Sequence, residues 1–414
     1  MKRWITYVVV FMAFISCNNG LKREKPELDG YYLKPTEQID KIPLTRAEEG
    51  FVEAGNEFAG KLARKVWEIQ NNKGSFLVSP LSVQYVLGMA GNGADGSVAQ
   101  QMAQALGYEG TDAVNVFCNK LITHLPMVDT TVTLALANAL LARDICPLNR
   151  ELAATLEEAY EASVESMSFQ NPKAVVDRVN VWCREHTYGR IDRILEEILP
   201  DAVLYLMNAI YFSGNWMYPF KTSDTKMQKF QTLSGKKANV RMMHRNVSGS
   251  YEETQAYQKI SLPYGRGKYL MNVLLPKEGV DIPSLLGEVS GLPVLGMARD
   301  VKLSFPKFES ELFMDLAPLL FEMGVPEGSY DKLLAPGTTN NPIMINRILH
   351  KANITVDEGG TEAAAVTVAE FVAMGSGPTL PPSPVEFTAD HTFIYTITET
   401  TSGVILFVGV FDGN

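Results

Sequence analysis

The chain has 414 residues, of which 46% are hydrophobic and 20% are charged, and its formal net charge is −10. This composition is typical of a globular protein whose core is large enough to need neither metals nor disulfides. The acidic balance argues against nucleic acid as a partner, because phosphate binding requires a basic face.

The first sixteen residues have the pattern of a signal peptide. Lys2 and Arg3 precede an uncharged, mostly apolar run that is too short to span a bilayer. Ser16-Cys17 then resembles the processing site of a bacterial lipoprotein, so Cys17 is expected to be lipidated and to anchor the protein in the outer membrane, at the cell surface. A secreted or periplasmic protein is the alternative. Residues 17–45 are polar and proline-containing, which predicts a flexible tether.

Helices dominate the first part of the domain predicted from 46 to 414. Apolar residues recur at helical spacing from Phe51 to Ile69, which predicts an amphipathic helix. Ser79-Pro80 starts a second helix, because the first turn tolerates proline. A third helix is predicted from about 95 to 106, ended by Gly107, and further helices near 149–162 and 172–188.

Strands become frequent later in the chain. Residues 131–142 are rich in Val, Leu and Ala, and residues 202–213 are apolar almost throughout, as expected of a strand buried on both faces. Short strands with Gly and Pro turns are predicted between about 237 and 310, another strand at 343–356, and an apolar hairpin at the C-terminus. This order predicts a single α+β domain with large sheets.

Motifs for cofactor or metal chemistry are weak. A GxGxxG pattern follows a predicted helix instead of a strand, so no dinucleotide site is expected at Gly91, Gly93 and Gly96. Neither GxSxG nor HExxH occurs, and the histidines have no ligand spacing. No cofactor or metal is expected. A Ser/His/Asp triad stays open, because its members need only meet in space.

Three further cysteines are expected to be buried small side chains. They form no CxxC pair and are odd in number, which argues against metal or redox chemistry at Cys118, Cys146 and Cys183.

The stretch from Glu358 to Pro384 has the composition of a functional loop. After Gly359-Gly360, residues 361–374 contain neither Gly nor Pro, and their Val, Thr and Phe residues favour extended structure. In a strand, small uncharged side chains would share one face up to Phe371, namely Thr361, Ala363, Ala365, Thr367 and Ala369, whereas the other face would carry Glu362, Ala364, Val366, Val368, Glu370 and Val372. A strand with one uncharged face can enter a sheet over a packed core, so the loop is predicted to be able to become a strand.

From about residue 46 onward, the sequence resembles the serpin family. Residues 358–367 (EGGTEAAAVT) resemble the hinge of inhibitory members, and ordered matches elsewhere include residues 76–82 (FLVSPLS), 208–212 (NAIYF), 350–352 (HKA) and 389–391 (ADH). The resemblance implies a serpin fold, with N-terminal helices packed on large sheets and an exposed reactive loop at about 358–384. It implies a serine protease inhibitor, not an enzyme, that traps the protease as an acyl-enzyme while the cut loop inserts into the central sheet.

The resemblance also assigns residues. The hinge comprises Glu358, Gly360, Thr361, Glu362, Ala363, Ala364, Ala365 and Thr367. The reactive bond is Met374-Gly375, with cleavage at Phe371, Val372 or Ala373 as alternatives. A structural gate that controls the opening of the sheet comprises Ser79, Ser82, Asn208, His350 and Trp216.

The same resemblance sets expectations for partners. Met374 suits elastase-like or chymotrypsin-like proteases, and no Lys or Arg follows Lys351, which argues against trypsin-like ones. Subtilisin-like and cysteine proteases stay open as targets, and the protein is expected to be a monomer. The alternative function is that of a non-inhibitory serpin acting as a binding or scaffold protein.

Overall fold

The computed structural model describes residues 35, 37–71, 74–292, 295–339, 341–361 and 383–413. The helices in these ranges are α1 Arg46–Ile69, α2 Pro80–Asn92, α3 Gly96–Ala105, α4 Thr111–His124, α5 Arg150–Tyr160, α6 Pro172–His186, α7 Ile282–Glu288 and α8 Ala317–Glu322. The strands are β1 Phe76–Val78, β2 Thr133–Arg143, β3 Ser163–Met167, β4 Leu204–Asn215, β5 Lys226–Gln231, β6 Lys237–Glu253, β7 Tyr257–Tyr264, β8 Tyr269–Pro276, β9 Met297–Asp315, β10 Leu349–Val356, β11 Gly360–Thr361, β12 Val385–Thr388, β13 Phe393–Glu399 and β14 Ile405–Phe411. Helices packed on large sheets confirm the predicted α+β class.

The predicted helices form where their local signals lie. Thr45 and Glu48 make a capping box at the start of α1, and the apolar stripe of α1 is buried. The hydroxyl of Ser79 accepts from the N–H of Ser82 and so caps α2, whose first residue is Pro80. Three helices, α4, α7 and α8, were not predicted from the sequence.

The GxGxxG pattern is a turn between two helices, as predicted. Gly91 lies in α2, Gly93 caps its end, and Gly96 opens α3 with a φ of 44°. Gly107 follows α3 with a φ of 85°, a backbone conformation that favours glycine. Among the cysteines, Cys118 and Cys183 are buried as predicted, while Cys146 is only half-buried.

One continuous path of strands connects the sheets in the order β1-β14-β13-β8-β7-β6-β9-β10-β11-β4-β2-β3. Off this path, β12 pairs with β9 and β5 pairs with β6. We call the end of the path that comprises the second half of β9, β10, β11, β4, β2 and β3 the central sheet. Within the described residues, β10 and β4 are joined through the two residues of β11, which runs antiparallel to both.

The strands between 237 and 310 are longer than the predicted short ones. β6 spans 17 residues and β9 spans 19. β9 pairs with β6 up to Lys307 and with β10 from Phe308 onward, so this one strand links the central sheet to its neighbour. The strand predicted at 343–356 begins only at Leu349, because residues 345–348 have no regular secondary structure.

The last residues of the predicted tether lie against the domain. The side chain of Ile42 is buried, and the N–H of Ile39 donates to the carbonyl of Met127 at 3.1 Å. The packed chain therefore begins several residues before α1. Among the described residues, no helix combines the length and the apolarity that crossing a membrane requires.

Candidate functional site at the hinge of the central sheet

The chain reverses direction between β10 and β11 in a tight turn, residues 357–360, which we call the hinge turn. The N–H of Asp357 donates to the carbonyl of Gly360 at 2.9 Å, and the Asp357 carboxylate accepts from the N–H of Gly359 at 2.9 Å. Thr361 then pairs with Val356 on β10 and with Gly214 on β4. The turn therefore delivers the start of the predicted loop between two strands of the central sheet.

Glycine is required at position 360. Its φ is 148°, and a Cβ atom there would lie 2.7 Å from Asn215 Cα and 2.8 Å from the Trp216 nitrogen. These contacts are too short for any side chain, and the φ value disfavours one. The sequence assigned Gly360 only to the hinge, and the structure gives it a steric role.

Glu358 fastens the hinge turn to the neighbouring sheet. Its carboxylate, 12% exposed, lies 2.7 Å from Lys307 Nζ and accepts a hydrogen bond from the hydroxyl of Thr225 at 2.9 Å. The carbonyl of Glu358 also accepts from the N–H of Phe220 at 2.8 Å. Partial burial alone would raise the pKa of Glu358, but the hydrogen bonds and the charge of Lys307 outweigh it and lower the pKa.

Trp216 covers the hinge turn. Its backbone N–H donates to the carbonyl of Gly359 at 2.8 Å, and its indole N–H donates to the carbonyl of Asp357 at 2.9 Å. The indole stacks on Tyr264, with ring centroids 4.3 Å apart. Trp216 was predicted as part of the gate that controls the opening of the sheet, and in the structure it holds the hinge turn by two hydrogen bonds.

Thr361 is inserted into the sheet and faces the core. Its side chain is 1% exposed, and its hydroxyl lies 2.6 Å from the hydroxyl of Tyr264. Its carbonyl accepts from the hydroxyl of Ser213 on β4 at 3.3 Å. An uncharged polar side chain fits this position, because its single hydroxyl has a partner.

Below the hinge, the structure brings together the four predicted gate residues of the core, which we call the gate cluster: Ser79, Ser82, Asn208 and His350. The hydroxyl of Ser82 donates to the Asn208 amide oxygen, and the Asn208 amide nitrogen donates to Asn138 at 2.8 Å. The N–H of Ser79 donates to Nε2 of His350 at 3.2 Å. Trp216, predicted with this group, lies instead at the hinge turn.

His350 is neutral in this cluster. The ring is 5% exposed, and burial lowers its pKa to about 4. Neutral Nε2 can accept from Ser79, whereas a protonated ring could not. The cluster is therefore a buried polar network that links β4 and β10 to the start of α2.

A cavity of about 490 Å³ continues from the gate cluster between β4 and β10. Asn208 and His350 stand at its border, and the remaining lining is largely apolar, with contributions from Val83, Val86, Leu87, Trp182, Leu204 and Leu349. The two strands that flank β11 thus stay separated further down by space that an apolar strand face could fill.

Several predicted site residues lie outside the described ranges. These are Glu362, Ala363, Ala364, Ala365 and Thr367 of the hinge, Phe371, Val372, Ala373, Met374 and Gly375 around the reactive bond, and Cys17. Sequence reasoning missed the roles of Lys307, Thr225 and Tyr264. Nothing local marks them, because their partners are distant in sequence.

Comparisons with known proteins agree with this architecture. A family model described as Serpin (serine protease inhibitor) matches residues 53–412. An uncharacterized serpin-like protein of Methanosarcina acetivorans is 31% identical, with 86% of each chain covered. The leukocyte elastase inhibitor of Bos taurus is 30% identical, with 82% of this chain and 93% of that protein covered. The crystal structure of a thermophilic serpin, tengpin, in its native state has a TM-score of 0.79 at 23% identity and covers 91% of this chain and 97% of that one.

Proposed function

This chain belongs to the serpin family, and we propose that it is an inhibitor of serine proteases that acts as a suicide substrate. The protease attacks the loop beyond Thr361, its catalytic serine forms an ester with the residue before the cut bond, and the new amino terminus leaves. The freed loop then inserts into the central sheet before water can hydrolyse the ester. The distortion of the protease that follows traps the acyl-enzyme.

The observation that carries the proposal is the register of β11. Thr361 already occupies the first place of an antiparallel strand between β10 and β4. If the loop continued in this register, each further residue would lie opposite the residue one earlier in both neighbours. Thr367 would then oppose both Asn208 and His350, so the inserting strand would pass directly over the gate cluster.

The side-chain alternation agrees with this register. Thr361 faces the core, so residues 363, 365, 367, 369 and 371 would face it too. In this register Phe371 would oppose Leu204, which lines the 490 Å³ cavity. The small residues would thus lie in the part of the sheet above the cavity, and the bulky ring of Phe371 would lie at the 490 Å³ cavity, where there is space for it.

Insertion would stabilise the molecule in two ways. The new strand would form main-chain hydrogen bonds to β4 and β10, and apolar surface of the loop would be buried over the cavity. The intact loop is tied at both ends, to β11 and to β12, which keeps it from moving down the sheet. Cleavage removes that constraint, so the intact protein stores energy that the cut releases.

Met374-Gly375 is the proposed reactive bond, with Phe371, Val372 and Ala373 as alternative cleavage positions. Each of these residues is apolar, as elastase-like and chymotrypsin-like proteases prefer. The similarity to a leukocyte elastase inhibitor supports this choice of target class. The C-terminal fragment contains the buried strands β13 and β14, so it is separated from the cleaved protein on a denaturing gel, and sequencing its new amino terminus would identify the bond.

Mixing the purified protein with an elastase and running a denaturing gel tests the function. The expected result is a stable band at the summed mass of the two proteins less residues 375–414, which the cut detaches, and the loop-cleaved protein should resist heating better than the intact one. Clean loop cleavage with fully active protease would indicate instead a non-inhibitory serpin that binds or scaffolds other molecules. Peptide turnover by the protein alone would indicate a hydrolase.

We also propose that Cys17 is lipidated and holds the inhibitor at the outer membrane, where it would protect the cell surface. Metabolic labelling with a radioactive fatty acid should mark the wild-type protein and not Cys17→Ala. Protease added to intact cells should reach the protein if it is exposed at the surface, and label in both variants would refute the assignment.

A further inference from the structure

A strongly basic hairpin stands out on this acidic protein. Between Thr225 and Tyr251 the chain has no Asp or Glu and six Lys or Arg residues, at positions 226, 229, 236, 237, 241 and 245. The hairpin of β5 and the first part of β6 carries five of these on its surface. We call these five exposed side chains the basic ribbon: Lys226, Lys229, Lys236, Lys237 and Arg241.

The charges of the basic ribbon are not neutralised locally. Within the described part of the chain, none of the five lies within ion-pair distance of a carboxylate, and Lys229 bonds only to the amide oxygen of Asn239. Lysines on an edge strand often serve to block sheet extension, which would explain Lys226 and Lys229 on β5. It does not explain Arg241 on β6, which pairs on both sides.

The position of the basic ribbon connects it to the reactive loop. Thr225, next to Lys226, donates to Glu358 of the hinge turn at 2.9 Å. Gln231, at the other end of β5, donates its N–H to the carbonyl of Asp390 at 2.7 Å, just beyond β12. Residues at the two ends of β5 therefore contact the chain on either side of residues 362–382, so a protein bound to the ribbon would lie next to both of these contacts.

We propose that the basic ribbon is a docking surface for an acidic face of the target protease, an inference that rests on the proposed function. The positive charge would steer a negatively charged protease toward the loop and accelerate encounter. The exposed side chains of Met227 (63%) and Leu233 (50%) on the same hairpin provide apolar contacts for the docked partner. Target choice would thus depend on surface charge as well as on the residue at the reactive bond.

The test compares two chymotrypsin-like or elastase-like proteases with the same cleavage preference, one acidic and one basic. The variant carries Lys229→Glu, Lys237→Glu and Arg241→Glu. The control carries Lys41→Glu, Arg150→Glu and Arg193→Glu, which change the net charge equally at exposed sites outside the ribbon. For the acidic protease, the ribbon variant should lower the second-order inhibition rate about tenfold at low salt, and high salt should shrink the difference. For the basic protease the rate should rise.

A second measurement separates this inference from the proposed function. The acidic protease with its catalytic serine replaced by alanine is titrated onto the intact protein, so that binding is read without chemistry. If wild type forms no stable adduct with active protease, the proposed function fails, while the docking surface is still tested by this binding. A second ribbon variant carries Lys229→Gln, Lys237→Gln and Arg241→Gln, and both measurements are repeated with it. It removes the positive charges without adding negative charges that would repel the acidic protease.

Unchanged rates and unchanged binding in both ribbon variants would overturn the inference, as would equal effects of the ribbon and control variants. A third outcome would also overturn it: a heparin fragment, used as the probe for polyanions, binds in a ribbon-dependent way while the protease rates do not change. The ribbon would then be a polyanion site.

Discussion

Replacing Thr367 by arginine is expected to turn the inhibitor into a substrate. In the proposed register, residue 367 of the inserted strand faces the gate cluster, where Ser79 is 0%, His350 5% and Asn208 8% exposed. The cluster contains no carboxylate, and His350 is neutral, so the guanidinium would be buried without a counter-ion. Burying an unpaired charge in a protein costs several kcal/mol, and about 4 kcal/mol is a representative cost for the guanidinium at this position.

The rate of insertion follows from this cost. If about half of it is felt at the transition state of insertion, the step slows by about 2 kcal/mol, or roughly 30-fold. Hydrolysis of the ester is unchanged, so it would win the competition more often. The number of inhibitor molecules consumed per protease trapped equals one plus the ratio of the hydrolysis rate to the insertion rate, so its excess over one should rise roughly 30-fold.

Titrating a fixed amount of elastase with each variant measures this number directly. Val368→Arg is the matched control, because it places the same side chain, with the same change in charge, on the opposite face of the same strand. The intact Thr367→Arg protein should unfold at the wild-type temperature, whereas its cleaved form should gain less heat resistance. Unchanged stoichiometry in Thr367→Arg, with wild-type heat resistance after cleavage, would refute insertion in this register.

Three further predictions concern the described residues of the hinge and gate. Gly360→Ala should lower the free energy of unfolding by about 2 kcal/mol, measured by denaturant titration, because the new methyl group meets the backbone of Asn215 and Trp216. Glu358→Lys should lower the melting temperature, measured by thermal unfolding, since two cations would face each other at Lys307, and Glu358→Gln should have a smaller effect. Because the pKa of His350 is about 4 in the folded protein and about 6.5 when unfolded, stability is complete above pH 6.5 and falls as the pH drops toward 4. Between pH 7 and pH 5 the loss should be about 2 kcal/mol, and a wild-type-like loss in His350→Asn would contradict this source.

Much of the architecture can be predicted from the sequence, because the patterns that indicate each helix and strand are local. The helical period of α1, the cap at Ser79 and the apolar runs of β13 and β14 each depend on residues close together in the chain. The same applies to the loop, whose alternation of small and charged side chains predicts a strand that can insert. The four residues of the gate cluster were expected together because of the family resemblance, and the structure places them in contact.

The structural features that the sequence did not predict depend on pairings between distant parts of the chain. Sequence composition does not indicate that β9 changes partners at Lys307, nor that this places its ammonium group beside a carboxylate 51 residues away at Glu358. The same is true of the hydroxyl pair that joins Tyr264 and Thr361, and of the contacts that Thr225 and Gln231, at the ends of β5, make with the chain on either side of the loop. Hydrophobic periodicity determines which face of an element is buried, whereas the neighbour that each face meets is decided only when the whole sheet is assembled.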